Sequence, residues 1–98
     1  NWKSRAFDGR LGATHALEIP FAFNNLDRAG VDVFLGPGPS PQVLADTMHQ
    51  AWSTFIKSGQ PGWSNYRLAD RSTMVFDDQS VITKDPMADE RMIWEGLR

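Results

Sequence analysis

Apolar residues recur at spacings of three and four positions along the middle of the chain, which is the pattern of an amphipathic helix. These apolar positions are Leu44, Met48, Ala51, Trp52, Phe55 and Ile56. Ser40 can cap the amino end of such a helix, with Pro41 at its first position. Lys57 near the carboxyl end and Gly59 just beyond it favour a stop there. The pattern therefore predicts one long helix over residues 41–58, or 40–58 with its cap.

Shorter apolar runs predict smaller elements on both sides of this helix. Residues 1–35 are expected to form an irregular segment with a short helix within 17–24, because Pro20 excludes a long one. Two β-prone runs around a polar turn predict a hairpin over 73–83. An Asp-Pro start followed by acidic residues predicts a terminal helix over 85–97. The chain is therefore expected to be mainly α with a small β-hairpin, in a single unit.

Composition and charge limit the class of protein. The chain has 98 residues, enough for one domain at most. Its formal net charge is -2 without blocks of like charge, so the electrostatic footprint of a nucleic-acid binder is missing. There is no cysteine, which excludes a disulfide framework, a thiolate zinc site and thiol catalysis. No apolar run approaches the roughly 20 residues of a membrane span. We therefore expect neither nucleic acid nor membrane as a partner, and we expect no cofactor.

The candidate chemistry lies in residues 12–23, GATHALEIPFAF, where a histidine follows a glycine and precedes an apolar run. This segment closely resembles the histidine segment of type-B carboxylesterases, the family of cholinesterases and bacterial para-nitrobenzyl esterases, written G-A-x-H-G-x-E-[IL]-P-[FY]-V-F. The resemblance implies that His15 is the base of a Ser-Glu-His triad, a role that suits an imidazole near neutral pH. Without the resemblance, His15 would be interpreted as an ordinary structural or surface histidine. Ala16 stands where the family usually has glycine, which adds a methyl group next to the histidine.

Three further segments resemble the same family in the same order. WSTFIKSGQP at 52–61 resembles W-x-x-F-x-[KR]-x-G-x-P, and RSTMVFD at 71–77 resembles R-x-T-M-x-F-[DN]. Trp63 and Tyr66 match W-P-x-Y, with Ser64 in place of the usual proline. The resemblance thus extends over nearly the whole chain. It implies the C-terminal fragment of an α/β-hydrolase fold, whose parent has a central, mostly parallel sheet flanked by helices.

Ester hydrolysis by a triad also needs a nucleophile, an acid and an oxyanion hole. Neither a G-x-S-x-G elbow nor a Gly-Gly oxyanion segment occurs in the sequence. Because the chain order in α/β-hydrolases is nucleophile, acid, histidine, these groups are expected upstream of Asn1, in a missing N-terminal portion of the same protein. The resemblance implies that this parent hydrolyses small-molecule carboxylic esters through an acyl-enzyme. The 98-residue chain alone is expected to be inactive.

Other residues of the histidine segment have expected supporting roles. The family's acid lies far upstream of its histidine, so Glu18 is expected to brace the loop rather than to serve as that acid, and Gly12 is assigned to the same support. Three apolar residues are candidates for a substrate wall: Leu17, Phe21 and Phe23. For the two phenylalanines, as for Trp52 and Phe55, packing in a core is the main interpretation.

Several alternatives remain open from the sequence. His15, Glu18 and His49 could be ligands of a metal ion, since the first two are three residues apart. Some members of the superfamily have lost catalysis and act as adhesion or binding proteins, and the chain could also be a free-standing helical interaction module. Finally, removing the parent's sheet would expose apolar surface, so the isolated fragment is expected to self-associate, as a symmetric dimer.

Overall fold

The structure, a computed structural model, describes residues 1–97. Its helices and strands, in chain order, are α1 (Ile19–Ala22), α2 (Val31–Leu35), α3 (Gln42–Ser58), β1 (Ser72–Val75), β2 (Val81–Lys84) and α4 (Ala88–Ile93). The fold is mainly helical, with one two-stranded antiparallel sheet. None of the helices in this part of the chain is long and apolar enough to cross a membrane.

The long helix α3 begins one residue later than the sequence pattern predicts. Pro41 occupies the N-cap position with φ -78° and ψ 59°, a conformation that is not helical, so the helix starts at Gln42. The Ser40 side chain forms no capping bond, which corrects the predicted cap. At the other end, Gly59 has the left-handed φ of 73°, and its N–H donates to the carbonyl oxygen of Phe55 across 2.7 Å. Glycine adopts this conformation without steric cost, so the helix ends there.

The buried core lies between the first 35 residues and the amino-terminal half of α3. Phe21 of α1 is 2% exposed, and its ring centroid lies 5.2 Å from that of Trp2 at an interplanar angle of 60°. Leu44 and Met48 of α3 belong to the same cluster. Its other buried members are Leu17, Leu26, Leu35 and Ala45. Burial of a large apolar side chain contributes about 1.5–3 kcal/mol, so this cluster is the main force that holds α1 on α3.

The large apolar side chains in the carboxyl-terminal half of α3 are exposed. Trp52, Phe55 and Ile56 are 53%, 48% and 78% exposed, although they continue the apolar face of the helix. Phe23, just after α1, is 71% exposed. Within this chain Phe21 is in the core, whereas Trp52, Phe55 and Phe23 form apolar surface of the kind expected when the parent's sheet is removed. The physical reason is that residues 1–97 supply one short hairpin and no larger sheet against which the far end of α3 could pack.

The predicted hairpin is present, and its strands extend one residue beyond the predicted range at each outer end. In β1 and β2, Ser72 pairs with Lys84 and Val75 pairs with Val81. The connecting turn is closed by its own polar side chains. The backbone N–H of Asp77 donates to the Ser80 hydroxyl across 3.3 Å, and that hydroxyl donates to the Asp77 carbonyl oxygen across 3.1 Å.

The terminal helix α4 is shorter than predicted, because it covers Ala88–Ile93 rather than 85–97. Asp85 does not cap this helix. Its backbone is left-handed (φ 45°), and its carboxylate accepts three hydrogen bonds from the Arg91 guanidinium at 2.8, 3.1 and 3.3 Å. Arg71, just before β1, lies 3.7 Å from the same carboxylate. Asp85 thus joins α4 to the hairpin, and Met87 occupies the N-cap position instead.

Candidate active-site loop

His15 lies in a loop of consecutive turns between Gly12 and the start of α1. The backbone N–H of Leu17 donates to the carbonyl oxygen of Thr14 across 3.3 Å, so the chain turns directly around the histidine. The imidazole is exposed, and no hydrogen bond to it is formed by the other residues of 1–97. An imidazole in this state has both ring nitrogens available for proton transfer to a group brought next to it.

The amino end of the loop is anchored by Ser4. This serine is 1% exposed, and its backbone N–H donates to the carbonyl oxygen of Gly12 across 3.1 Å. Its hydroxyl donates to the carbonyl oxygen of Phe34 at 2.7 Å and accepts the N–H of Ala6 at 3.0 Å. One buried side chain therefore ties the residues before the loop to the end of α2, as the rule that buried polar groups are hydrogen-bonded requires.

Gly12 and Ala16 both have left-handed backbones, with φ of 61° and 65°. A side chain at Gly12 would meet no atom within 4 Å, so the glycine is required there by conformation and not by space. Ala16 adopts the same conformation with a Cβ, which costs an L-residue about 1 kcal/mol. Its carbonyl oxygen accepts the N–H of Ile19 across 3.2 Å, which leads the chain into α1. The residue next to His15 is thus held in a strained conformation.

The brace predicted for Glu18 is not formed within residues 1–97. The Glu18 side chain is exposed and makes no capping hydrogen bond, although the residue occupies the N-cap position of α1. Its contribution to the loop is made by the backbone, since its carbonyl oxygen accepts the N–H of Ala22 across 2.8 Å. The role of the carboxylate beside His15 stays a prediction.

A cleft of about 140 Å³ lies beside the histidine loop. From the loop and α1 it is lined by Ala13, Thr14, Leu17, Glu18 and Phe21. Leu17 and Phe21 are only 4% and 2% exposed, so their packing in the core accounts for their apolar character. Phe23 lies outside this cleft. The structure therefore brings together two of the three residues predicted to form a substrate wall, and the wall itself stays a prediction.

The second histidine, His49, lies on α3 and contacts the carboxyl end of α1. Its Nδ1 is 2.9 Å from the carbonyl oxygen of Ala22, and its Nε2 is 3.4 Å from the Ser53 hydroxyl. Across the part of the chain that the structure describes, no three histidine, aspartate or glutamate side chains form a group that could hold a metal ion. The interpretation of His15, Glu18 and His49 as metal ligands is therefore not supported.

Sequence reasoning missed the two polar residues that anchor the loop, Ser4 and His49. No local signal existed for Ser4, whose hydroxyl bonds the carbonyl oxygen of Phe34, 30 residues later in the chain. No signal existed for His49, which stands on the polar side of the predicted helix and finds its partner 27 residues earlier in the chain.

Comparison with known proteins gives close relatives. No family model matches the chain. Over 83 residues it is 38% identical to the phenmedipham hydrolase of Pseudarthrobacter oxydans, a match that covers 76% of this chain and 17% of that protein. Over 86 residues it is 36% identical to the para-nitrobenzyl esterase of Bacillus subtilis (strain 168), covering 81% and 17%. Among solved structures, the Geobacillus stearothermophilus carboxylesterase EST55 at pH 6.2 matches with a TM-score of 0.73 at 37% identity, covering 87% of this chain and 19% of that one.

The chain belongs to the type-B carboxylesterase family. This carboxylesterase segment spans 17–19% of the length of the relatives it matches. Its helices and hairpin are accordingly a small fragment of the fold of those carboxylesterases, the α/β-hydrolase fold.

Proposed function

We propose that this carboxylesterase segment carries the catalytic histidine of a serine ester hydrolase, and that His15 is this residue. The observation that supports the proposal is the state of His15. Its imidazole is exposed and without a hydrogen bond inside residues 1–97, on a loop that is bonded to the buried Ser4 at its amino end and leads into α1, whose Phe21 is in the core, at its carboxyl end. Such a histidine is positioned to meet a serine and a carboxylate from another part of the same protein.

In the proposed reaction, His15 acts first as a general base. Its imidazole takes the proton of the serine hydroxyl as the oxygen attacks the ester carbonyl carbon. The resulting imidazolium then gives this proton to the leaving alcohol, and an acyl-enzyme remains. Water attacks the acyl-enzyme with the same histidine as base, which releases the carboxylic acid and restores the serine. The carboxylate of the triad holds the imidazole in the required tautomer and stabilises the imidazolium.

The nucleophile and the acid are proposed to lie outside these 98 residues, because the sequence has no G-x-S-x-G elbow. We call the protein that combines this segment with them the complete esterase. Its proposed substrates are small-molecule carboxylic esters. The name of the Bacillus relative supports this class, because it describes an enzyme that acts on para-nitrobenzyl esters.

The test is His15→Ala in the complete esterase, assayed with a para-nitrophenyl ester. We expect kcat to fall by about 10⁴-fold or more with the melting temperature unchanged, because removal of the base leaves only binding and oxyanion stabilisation. Arg28→Ala is the matched control, because Arg28 is an exposed residue beyond α1 and should leave kcat unchanged. The 98-residue chain alone serves as a blank and should not be labelled by a fluorophosphonate. Turnover by His15→Ala at the wild-type rate would refute the proposal.

A further inference from the structure

The hydrogen bond between His49 and Ala22 fixes the tautomer of His49. The Nδ1 atom lies 2.9 Å from the Ala22 carbonyl oxygen. A carbonyl oxygen only accepts, so Nδ1 carries the proton and donates it. In the neutral ring, Nε2 is then the acceptor and faces the Ser53 hydroxyl at 3.4 Å. His49 is thus oriented along α3 with its donor directed at the end of α1.

Ala22 is the last residue of α1, where carbonyl oxygens have no partner inside the helix. A second contact secures the same end. The Asn24 side-chain amide donates to Asp46 Oδ1 across 3.1 Å, and the Gln42 amide donates to Asn24 Oδ1 across 2.7 Å. Gln42, Asp46 and His49 lie on consecutive turns of α3. The carboxyl end of α1 is therefore held by hydrogen bonds to one side of α3 at two points.

Apolar packing alone does not set this position. The side chains of Phe21 and Leu17 in the core fix how closely α1 approaches α3, but dispersion and hydrophobic contacts have little directionality. Hydrogen bonds are directional, and they select one rotation and one register of the short helix. The Ser4 N–H bonds the Gly12 carbonyl oxygen at the other end of the segment. The histidine loop is therefore held by hydrogen bonds on both sides, at Gly12 and at the carboxyl end of α1.

We propose that His49 is a positioning residue for His15. It touches neither substrate nor the reacting atoms. By bonding the Ala22 carbonyl oxygen, His49 fixes the carboxyl end of the segment that carries His15. The exposed His15 side chain has no hydrogen bond of its own within residues 1–97, so its position depends on the backbone of this segment. This inference rests on the proposed function. It deepens that function by assigning the second histidine of the chain to the same site.

The experiment compares substitutions at His49 in the complete esterase, with kcat expressed per active site titrated by a fluorophosphonate. His49→Leu removes the donor and keeps much of the volume. We expect kcat to fall about tenfold with KM changed less than about twofold, because misplacing the base weakens proton transfer and leaves substrate contacts unaltered. His49→Asn restores activity to within about twofold, because its side-chain amide places a donor near the position of Nδ1. Gln50→Leu is the matched control, an exposed neighbour on α3 that should leave both constants unchanged.

The outcomes are separable from those of the proposed function. If His15→Ala is inactive and His49→Leu retains wild-type kcat, the positioning role is refuted and the catalytic role of His15 stands. If His49→Leu and His49→Asn show the same changes in kcat and in KM, His49 has only a structural role and the proposal fails. Should His49→Leu not fold, His49→Gln is compared with His49→Asn. The Gln side chain presents its amide near the Nε2 position, so a lower kcat for Gln than for Asn supports the proposal and equal values overturn it.

Discussion

The backbone N–H of Ser4 donates to the carbonyl oxygen of Gly12 across 3.1 Å, so a buried serine holds the first residue of the histidine segment. The same serine bonds Phe34 and Ala6 through its hydroxyl. The loop that carries His15 is consequently tied to the end of α2 through one side chain. The strength of that connection can be measured.

Ser4→Ala removes the hydroxyl and leaves the Phe34 carbonyl and the Ala6 N–H without this partner in a buried site. We expect the free energy of unfolding to fall by about 1–3 kcal/mol, the cost of leaving buried polar groups unpaired. Urea denaturation of the 98-residue chain measures it. Ser64→Ala is the control, because Ser64 is exposed and should change stability by less than about 0.5 kcal/mol. Equal stability of the two variants would contradict the anchoring role of Ser4.

Ala16→Gly should stabilise the chain, although glycine usually destabilises. Ala16 has a φ of 65°, and relief of the left-handed strain outweighs the added entropy of the unfolded chain by about 0.5–1 kcal/mol. The control is Ala13→Gly, at a position that does not have a positive φ. This control should lose stability, by about 0.5 kcal/mol. Chemical denaturation of both variants measures the sign of each change in unfolding free energy. A loss of stability in Ala16→Gly would show that the strain is absent.

The ion pair between Asp85 and Arg91 should make stability depend on pH in the acid range. The hydrogen bonds from Arg91 lower the pKa of Asp85, with further lowering by the charges of Arg91 and Arg71 against an opposing effect of desolvation. A carboxyl whose pKa is lowered in the folded state contributes stability above its unfolded pKa. That contribution is lost as the pH falls through the lower folded pKa.

Asp85→Asn tests this contribution. The variant should be less stable than the wild-type chain near neutral pH, and the difference should shrink as the pH falls below the ordinary pKa of an aspartate. Unfolding free energies measured across this range give the result. Asp89→Asn is the control, because Asp89 lies in the first turn of α4 and has no ion pair in the described residues. Its difference in unfolding free energy from the wild-type chain should vary less with pH. A difference for Asp85→Asn that stays constant with pH would exclude the ion pair as its cause.

The isolated 98-residue chain is expected to self-associate through its uncovered apolar surface. Trp52 and Phe55 line an apolar groove of about 270 Å³ together with Trp63 and Phe76. At roughly 25 cal/mol per Å², covering about 400 Å² of such surface contributes about 10 kcal/mol before ordering costs. Light scattering at micromolar concentration should give a mass above that of a monomer.

The substitutions Trp52→Ser and Phe55→Ser should lower this mass, and Gln50→Ser on the same helix should not. A monomeric wild-type chain with a cooperative melt would refute the expectation, because it would show that the helices and hairpin form a stable core without a second copy of the chain. Self-association of this kind is a property of the fragment and carries no information on the oligomeric state of the complete esterase.

Elements whose signal is local could be predicted from the sequence alone. The three- and four-residue spacing from Leu44 to Ile56 specified α3, because helical periodicity is set by consecutive residues. The β-prone runs around Asp77 specified the hairpin for the same reason. The histidine segment identified the family, since the residues around His15 form a pattern that needs no knowledge of the fold. Local signals also misled at Asp85, where an Asp-Pro start predicted a cap and the carboxylate bonds Arg91 instead.

The burial of individual apolar residues and the identity of the polar residues that hold the loop depend on contacts between distant parts of the chain. Leu44 and Phe55 follow the same periodic pattern, yet Leu44 is 3% exposed and Phe55 is 48% exposed. Periodicity states which side of a helix is apolar, but burial depends on whether another element covers that side. The contact of His49 with Ala22 spans 27 residues, and that of Ser4 with Phe34 spans 30. Such pairs come together only when the core around Phe21 forms, so no local pattern could have revealed them.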